Sequence, residues 1–255
     1  MARRNKQIRN GNTREGVKKY MFKIALDAGH GINTAGKRCL KALDANETRE
    51  WWLNNRICVK VEQKLANYDG YALLRVDDTT GASDISLGSR VSKANNYGAD
   101  IYLSVHQNAG INGGSGGGAM VMVDTTASQK SKEYQQLIYK NFIADTGLKG
   151  NRSNPTPEQS LYVCKHTKMP AVLVECGFMD SKTDVPIILS EDFAEKAAES
   201  LVKSLAEIGK LTKKTSTTTP NGKLYRVQVG AYSVKANAEA MLKKLKADGY
   251  EGFIV

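Results

Sequence analysis

No stretch of the 255 residues approaches the ~20 consecutive apolar residues of a membrane span, so no helical membrane anchor is expected. Met1 to Asn10 are basic and polar and lack an apolar h-region, so no secretory signal peptide is expected either. Cysteine is sparse. Cys39, Cys58, Cys164 and Cys176 lie far apart with no CxxC pair, which argues against a thiolate zinc knuckle and for reduced thiols made in a cytoplasm. Histidine is scarcer still, at three. The glycine run Gly113 to Gly118 lacks the lysine and helix signature of a phosphate-binding loop and reads instead as a flexible loop. What remains is ordinary globular composition, 41% hydrophobic and 25% charged, in a 27.9 kDa chain suited to one or two domains.

Charge is distributed unevenly. Lys and Arg number 37 against 26 Asp and Glu. Residues 1–20 carry +6, residues 210–222 carry +3 and residues 223–255 carry +3, leaving −1 for residues 21–209. Basic ends attract polyanions, of which an anionic cell wall and nucleic acid are two. Residues 1–20 have neither interleaved aromatics nor a recognition motif, so no nucleic acid partner is expected.

Residues 1–20 read as a basic disordered extension, and Met21 as the natural start. From 21 to 209, short apolar runs bounded by Gly, Asp or Pro predict strands at 22–27, 71–76, 101–105, 119–124 and 171–175. Helices are predicted at 50–67, 86–97, 129–146 and 191–209, the first with Leu53, Ile57, Val61 and Leu65 in one stripe. The alternation predicts an α/β fold, a mostly parallel sheet with helices on both faces. Active sites of such sheets lie beyond the strands' carboxyl ends, so residues just after Asp27, Val105 and Val174 should cluster. Residues 210–222 form a polar linker. Residues 223–255 predict a small C-terminal βαβ piece, with strands at 224–229 and 252–255 and a helix at 234–248 that turns Ala238, Met241, Leu242 and Leu245 inward.

Two of the three histidines fall where this topology needs ligands. His30 follows the first strand in Asp27-Ala-Gly-His-Gly31, and His106 follows the third in Ser104-Val-His-Gln-Asn-Ala109. Two imidazoles and a carboxylate form one common catalytic zinc set, with a position left for water. Glu47 and Glu50 both qualify as the carboxylate. Glu50 is preferred because it opens the striped helix, whose N-terminus favours an anion. A water on such a metal needs a proton acceptor, and Glu175 ends the fifth strand after four apolar residues. The bland alternative is two hydrogen-bonded structural histidines and an ordinary strand-end carboxylate.

These segments resemble a known family. Asp27-Ala-Gly-His-Gly31, Arg49-Glu-Trp-Trp-Leu-Asn54, Ser104-Val-His-Gln-Asn-Ala109 and Val174-Glu-Cys-Gly-Phe178 stand in the order found in the zinc-dependent N-acetylmuramoyl-L-alanine amidases of the Amidase_3 type. The resemblance covers about residues 22–209. It implies His30, Glu50 and His106 as Zn2+ ligands and Glu175 as the catalytic carboxylate. Asn54, four residues after Glu50, matches the family's second motif and favours Glu50 over Glu47. Many members have Pro where Ala28 stands. The implied reaction is hydrolysis of the amide between N-acetylmuramic acid and L-alanine of the peptidoglycan stem. Asn108 and His166 are candidate substrate-binding residues, and of Trp51 and Trp52 one is expected in the core.

Residues 223–255 resemble one repeat of a SPOR domain, a module that binds peptidoglycan glycan strands and normally has two repeats. A homodimer in which each chain contributes one βαβ would supply the missing half. The lack of a signal peptide fits a phage endolysin, held in the host bacterial cytoplasm until lysis and then acting on the cell wall. The alternatives are a bacterial mother-cell autolysin and a catalytically inactive wall-binding protein.

Overall fold

The structure, a computed structural model, describes residues 20–214 and 228–255 apart from 248, 251, 253 and 255. The elements run β1 Phe22–Ala28, α1 Glu50–Leu65, β2 Tyr68–Asp69, β3 Tyr71–Arg75, α2 Leu87–Tyr97, β4 Ile101–Asn108, β5 Met120–Met122, α3 Gln129–Thr146, α4 Tyr162–His166, β6 Ala171–Phe178, α5 Val185–Ile188, α6 Glu191–Gly209, β7 Thr212–Lys213 and α7 Lys235–Ala247. The chain divides into two compact units between Lys214 and Thr215.

The first unit is built on a five-stranded sheet in the order β3-β1-β4-β6-β5. The first four strands are parallel and β5 runs antiparallel to β6, a direction that its apolar pattern did not reveal. Alternation along the strands sends side chains to two cores. Ile24, Leu26, Leu103, Val105, Val172 and Val174 face α1, α3 and α6. Ala25, Tyr102 and Ala171 face α2 and α4, so both faces are covered. The α1 stripe of Leu53, Ile57, Val61 and Leu65 is buried as its spacing predicts. Ser86, Ser128 and Ser190 cap α2, α3 and α6 by accepting from backbone N–H groups three residues on. Gly98 and Gly147 end α2 and α3 in the left-handed conformation.

Strand order positions the site. From β1 the chain crosses to β3 on one side, then to β4 on the other. The carboxyl ends of β1 and β4 therefore flank a topological switch point, where α/β sheets leave a crevice. The β4–β6 register shifts between His106 and Asn108, a bulge at the same rim.

One buried ion cluster braces that rim. Asp27 accepts from Tyr102 Oη and Ser104 Oγ, each at 2.8 Å, and pairs with Arg90. Arg90 is only 1% exposed, and its guanidinium also donates to the backbone oxygens of Ala28 and His30, both at 2.9 Å. Removing one partner of a buried pair strands the other charge, at a cost of about 3–5 kcal/mol. Arg90→Met should lower unfolding stability by about that amount, which urea titration of the full chain measures. An unchanged midpoint and slope would show that the rim does not depend on this cluster.

The second unit, taken by itself, holds α7, followed by Gly249 at φ +84°. No residue of α7 is buried; Ala238, Met241, Leu242 and Leu245 are half-buried, not inside. Of the strands expected at 224–229 and 252–255, residues 224–227, 253 and 255 lie outside the described residues. Residues 228, 229, 252 and 254 are not in strands.

Candidate metal centre

His30, Glu50 and His106 converge, with one ligand atom from each lying within 4.8 Å of the others. Glu50 Oε1 stands 3.4 Å from His30 Nε2 and 3.0 Å from His106 Nδ1, and accepts from the Gln107 N–H at 3.2 Å. Three distant segments meet because each is fixed by backbone geometry. His106 continues β4 in register with Glu175 on β6. Glu50 is the first residue of α1, its N–H donating to the Lys37 carbonyl at 3.0 Å. His30 sits in a tight loop at φ +67°, a left-handed conformation that is unusual for a non-glycine residue. Arg90 and Arg49 hold that loop by its carbonyls, Arg49 donating to Ile32 and Thr34 at 2.6 and 2.5 Å. Asn54 donates to the Gly29 carbonyl at 3.2 Å. Gly29 is required sterically, since a Cβ there would lie 2.0 Å from the His106 ring.

The electrostatics suit a cation. Glu50 is fully buried, and its Oε2 has no hydrogen-bond partner. Burial pushes its pKa up, but the hydrogen bond and charge of His106 outweigh this and hold it below the ordinary carboxylate value. Burial lowers His30 to about 4, leaving a neutral imidazole with a free lone pair at neutral pH. Burial also pulls His106 down, yet its hydrogen bond to Glu50 holds it above its ordinary value. The His106–Glu50 contact thus occupies the place where a metal would bring positive charge. A buried carboxylate with one unused oxygen between two imidazoles fits a divalent ion such as zinc.

Glu175 stands beside this set, with one buried oxygen unpartnered; burial raises its pKa to about 7. A cleft of about 330 Å3 opens at the site, lined by Ala35, Gly36, Lys37, Gln107, Asn108 and Glu175, among others. Asn108 is thus on the cleft wall. Glu47, the alternative ligand, lies outside the cluster and pairs with Arg38 at 3.2 Å. His166 does not join the site. It ends α4, ahead of the first residue of β6, and its carbonyl accepts from Asn95 near the end of α2. It therefore lies at the end of the strands opposite Glu175. Trp51 is buried and Trp52 is 46% exposed, stacked under Arg56.

The glycine run and the three residues before it are tied down rather than free. Asp180 accepts from the N–H groups of Gly110, Ile111 and Asn112 at 2.7–2.8 Å, and Asp184 from Gly118 at 2.7 Å. Sequence reading missed Lys37 beside Glu50, Arg90 behind His30 and these two aspartates as anchors of the loop. Arg90 left one signal, a charged residue directly beside the buried Val91 of a helix.

Two imidazoles, one carboxylate and a neighbouring free carboxylate at an α/β switch point make the layout of a metallohydrolase. The chain belongs to the N-acetylmuramoyl-L-alanine amidase family, Amidase_3, which residues 24–207 match, while residues 193–255 match the SPOR domain. The SPOR match thus begins inside α6, well before residue 223. A sporulation-specific N-acetylmuramoyl-L-alanine amidase of Bacillus subtilis is 31% identical over 92% of this chain and 85% of its own length. The endolysin of Bacillus phage SPP1 is 31% identical over 77% of this chain and 69% of its own. The crystal structure of an N-acetylmuramoyl-L-alanine amidase from Clostridium difficile 630 superposes with a TM-score of 0.65 at 27% identity, covering 73% of this chain and 96% of that one.

Proposed function

We propose that this chain hydrolyses the amide joining the lactyl group of N-acetylmuramic acid to L-alanine of the stem peptide, with His30, Glu50 and His106 holding zinc. The observation that carries the reading is the convergence of those three donors beside the unpartnered carboxylate of Glu175. Zinc in such a set supplies Lewis acidity toward an amide carbonyl and toward water. Glu175 accepts the proton of the attacking water on its carboxylate and returns it to the leaving alanine amine. Asn108, on the cleft wall, contacts substrate. His30 and His106 act as neutral ligands, and Arg90, Arg49 and Asn54 hold the loop that presents His30.

The biological setting is bacterial wall lysis as a phage endolysin, released from the host cytoplasm. A mother-cell autolysin is the second reading. It is favoured by the sporulation-specific relative, which aligns over 92% of the chain against 77% for the endolysin. The C-terminal unit carries the chain to glycan strands, and the half-buried side of α7 is completed by a second copy in a homodimer. Light scattering of the full chain tests the dimer, which a strict monomer would refute. For the activity, purified peptidoglycan is digested with and without chelator and the products are weighed by mass spectrometry. New L-alanine amino ends that appear only with metal are expected; their absence in both arms would refute the reading.

A further inference from the structure

Lys37 belongs to none of the four segments that carry the ligands and Glu175, yet the fold delivers it to their centre. Its carbonyl accepts from the Glu50 N–H at 3.0 Å, and Arg38 and Arg49 bridge next to that bond. Its ammonium lies 3.7 Å from Glu50 Oε2, and the side chain is 43% exposed on the cleft wall that Glu175 and Asn108 also line. Among the described residues, no other Lys or Arg lines that cleft.

Counting charge gives the residue a task. With a divalent cation held, the cleft carries three positive charges, two from the ion and one from Lys37, against the two carboxylates of Glu50 and Glu175. The metal alone satisfies Glu50, so the ammonium is surplus to the ligand set. It stands on the open wall of the cleft, where a substrate entering beside Glu175 comes within its reach. A half-exposed ammonium on a flexible four-carbon stem is poorly suited to stabilise a transition-state oxyanion, which needs donors fixed in advance. It is well suited to meet a carboxylate already present on the substrate.

We infer that Lys37 is a specificity residue that binds a carboxylate of the stem peptide close to the scissile amide. This inference rests on the amidase reading above and adds a substrate preference to it. The cleft then favours peptides whose second residue keeps a free carboxylate over those in which it is capped as the carboxamide.

The test uses the zinc-loaded full chain and two N-acetylmuramoyl dipeptides that differ only in a carboxylate or a carboxamide on the second residue, with whole peptidoglycan as a parallel substrate. The wild type should favour the carboxylate dipeptide by about tenfold in kcat/KM, mainly through KM, as befits a charge-assisted contact that stays partly solvated. Lys37→Met should bring that ratio close to one, and Lys37→Arg should restore most of it. Zinc affinity is measured on each variant. An equal fall on both substrates, or a loss of zinc affinity in Lys37→Met, would make Lys37 a support for Glu50 and overturn the inference. So would a wild type that cuts peptidoglycan but neither dipeptide, or that cuts both dipeptides equally. A wild type that cuts none of the three substrates refutes the amidase reading itself.

Discussion

Glu175→Gln should lower the rate of amide hydrolysis by about 10²–10⁴-fold while zinc uptake is retained, the range expected for loss of a positioned general acid–base. Glu175 is paired in register with His106 across β4 and β6, so its place is set by the sheet and not by the metal. One of its carboxylate oxygens is buried without a partner. A carboxylate left so is costly unless it acts on something that enters the cleft. Glutamine keeps the shape and removes the capacity to hold a proton, so the fold and the ligand set should survive. Zinc content after gel filtration, read beside the release of L-alanine amino ends, separates the two roles. If Glu175→Gln lost its zinc together with its activity, Glu175 would be a ligand. If it kept both, some other group would move the proton.

Much of the scaffold was legible because its signals are local. Ser128 before α3 and Gly147 after it, and Ser190 before α6, bound helices whose limits periodicity alone marks out at 129–146 and 191–209. The parallel strands show as apolar runs, and His30, His106 and Glu175 gather because each lies in or just beyond the carboxyl-terminal half of one of them. Strand direction is not written in such runs, and the antiparallel setting of β5 against β6 depends on the route of the loop before it. The groups that hold the site were hidden for a similar reason. Arg90 and Arg49 act on backbone carbonyls that converge only once the loop after β1 has folded. Lys37 reaches Glu50 through a bridge between residues that look like plain loop. His166 is the opposite case. Its place ahead of β6 puts it at the rim away from Glu175.

His106→Ala should abolish specific zinc binding and, with it, hydrolysis to background. A two-donor remnant of His30 and Glu50 no longer provides the three protein ligands of a catalytic site. Thermal melts with zinc and with chelator give a readout independent of activity. A ligand that binds only the folded chain stabilises it by about 4 kcal/mol at a thousand times its Kd, and this zinc-dependent rise should vanish in the variant. The metal-free proteins should differ as well, and the difference identifies what His106 does there. In the wild type, the His106 hydrogen bond is the largest influence offsetting the burial of Glu50. Without it the carboxylate keeps the Gln107 N–H at 3.2 Å, His30 at 3.4 Å and Lys37 at 3.7 Å, which is poor compensation for a fully buried charge. Metal-free His106→Ala should therefore melt below metal-free wild type, and the double variant His106→Ala with Glu50→Gln should recover part of the loss, because the stranded charge is gone. Equal melting of all three metal-free proteins would mean that Glu50 is not held ionised by His106. In that case the convergence of the two residues would be packing rather than the preformed seat of a cation.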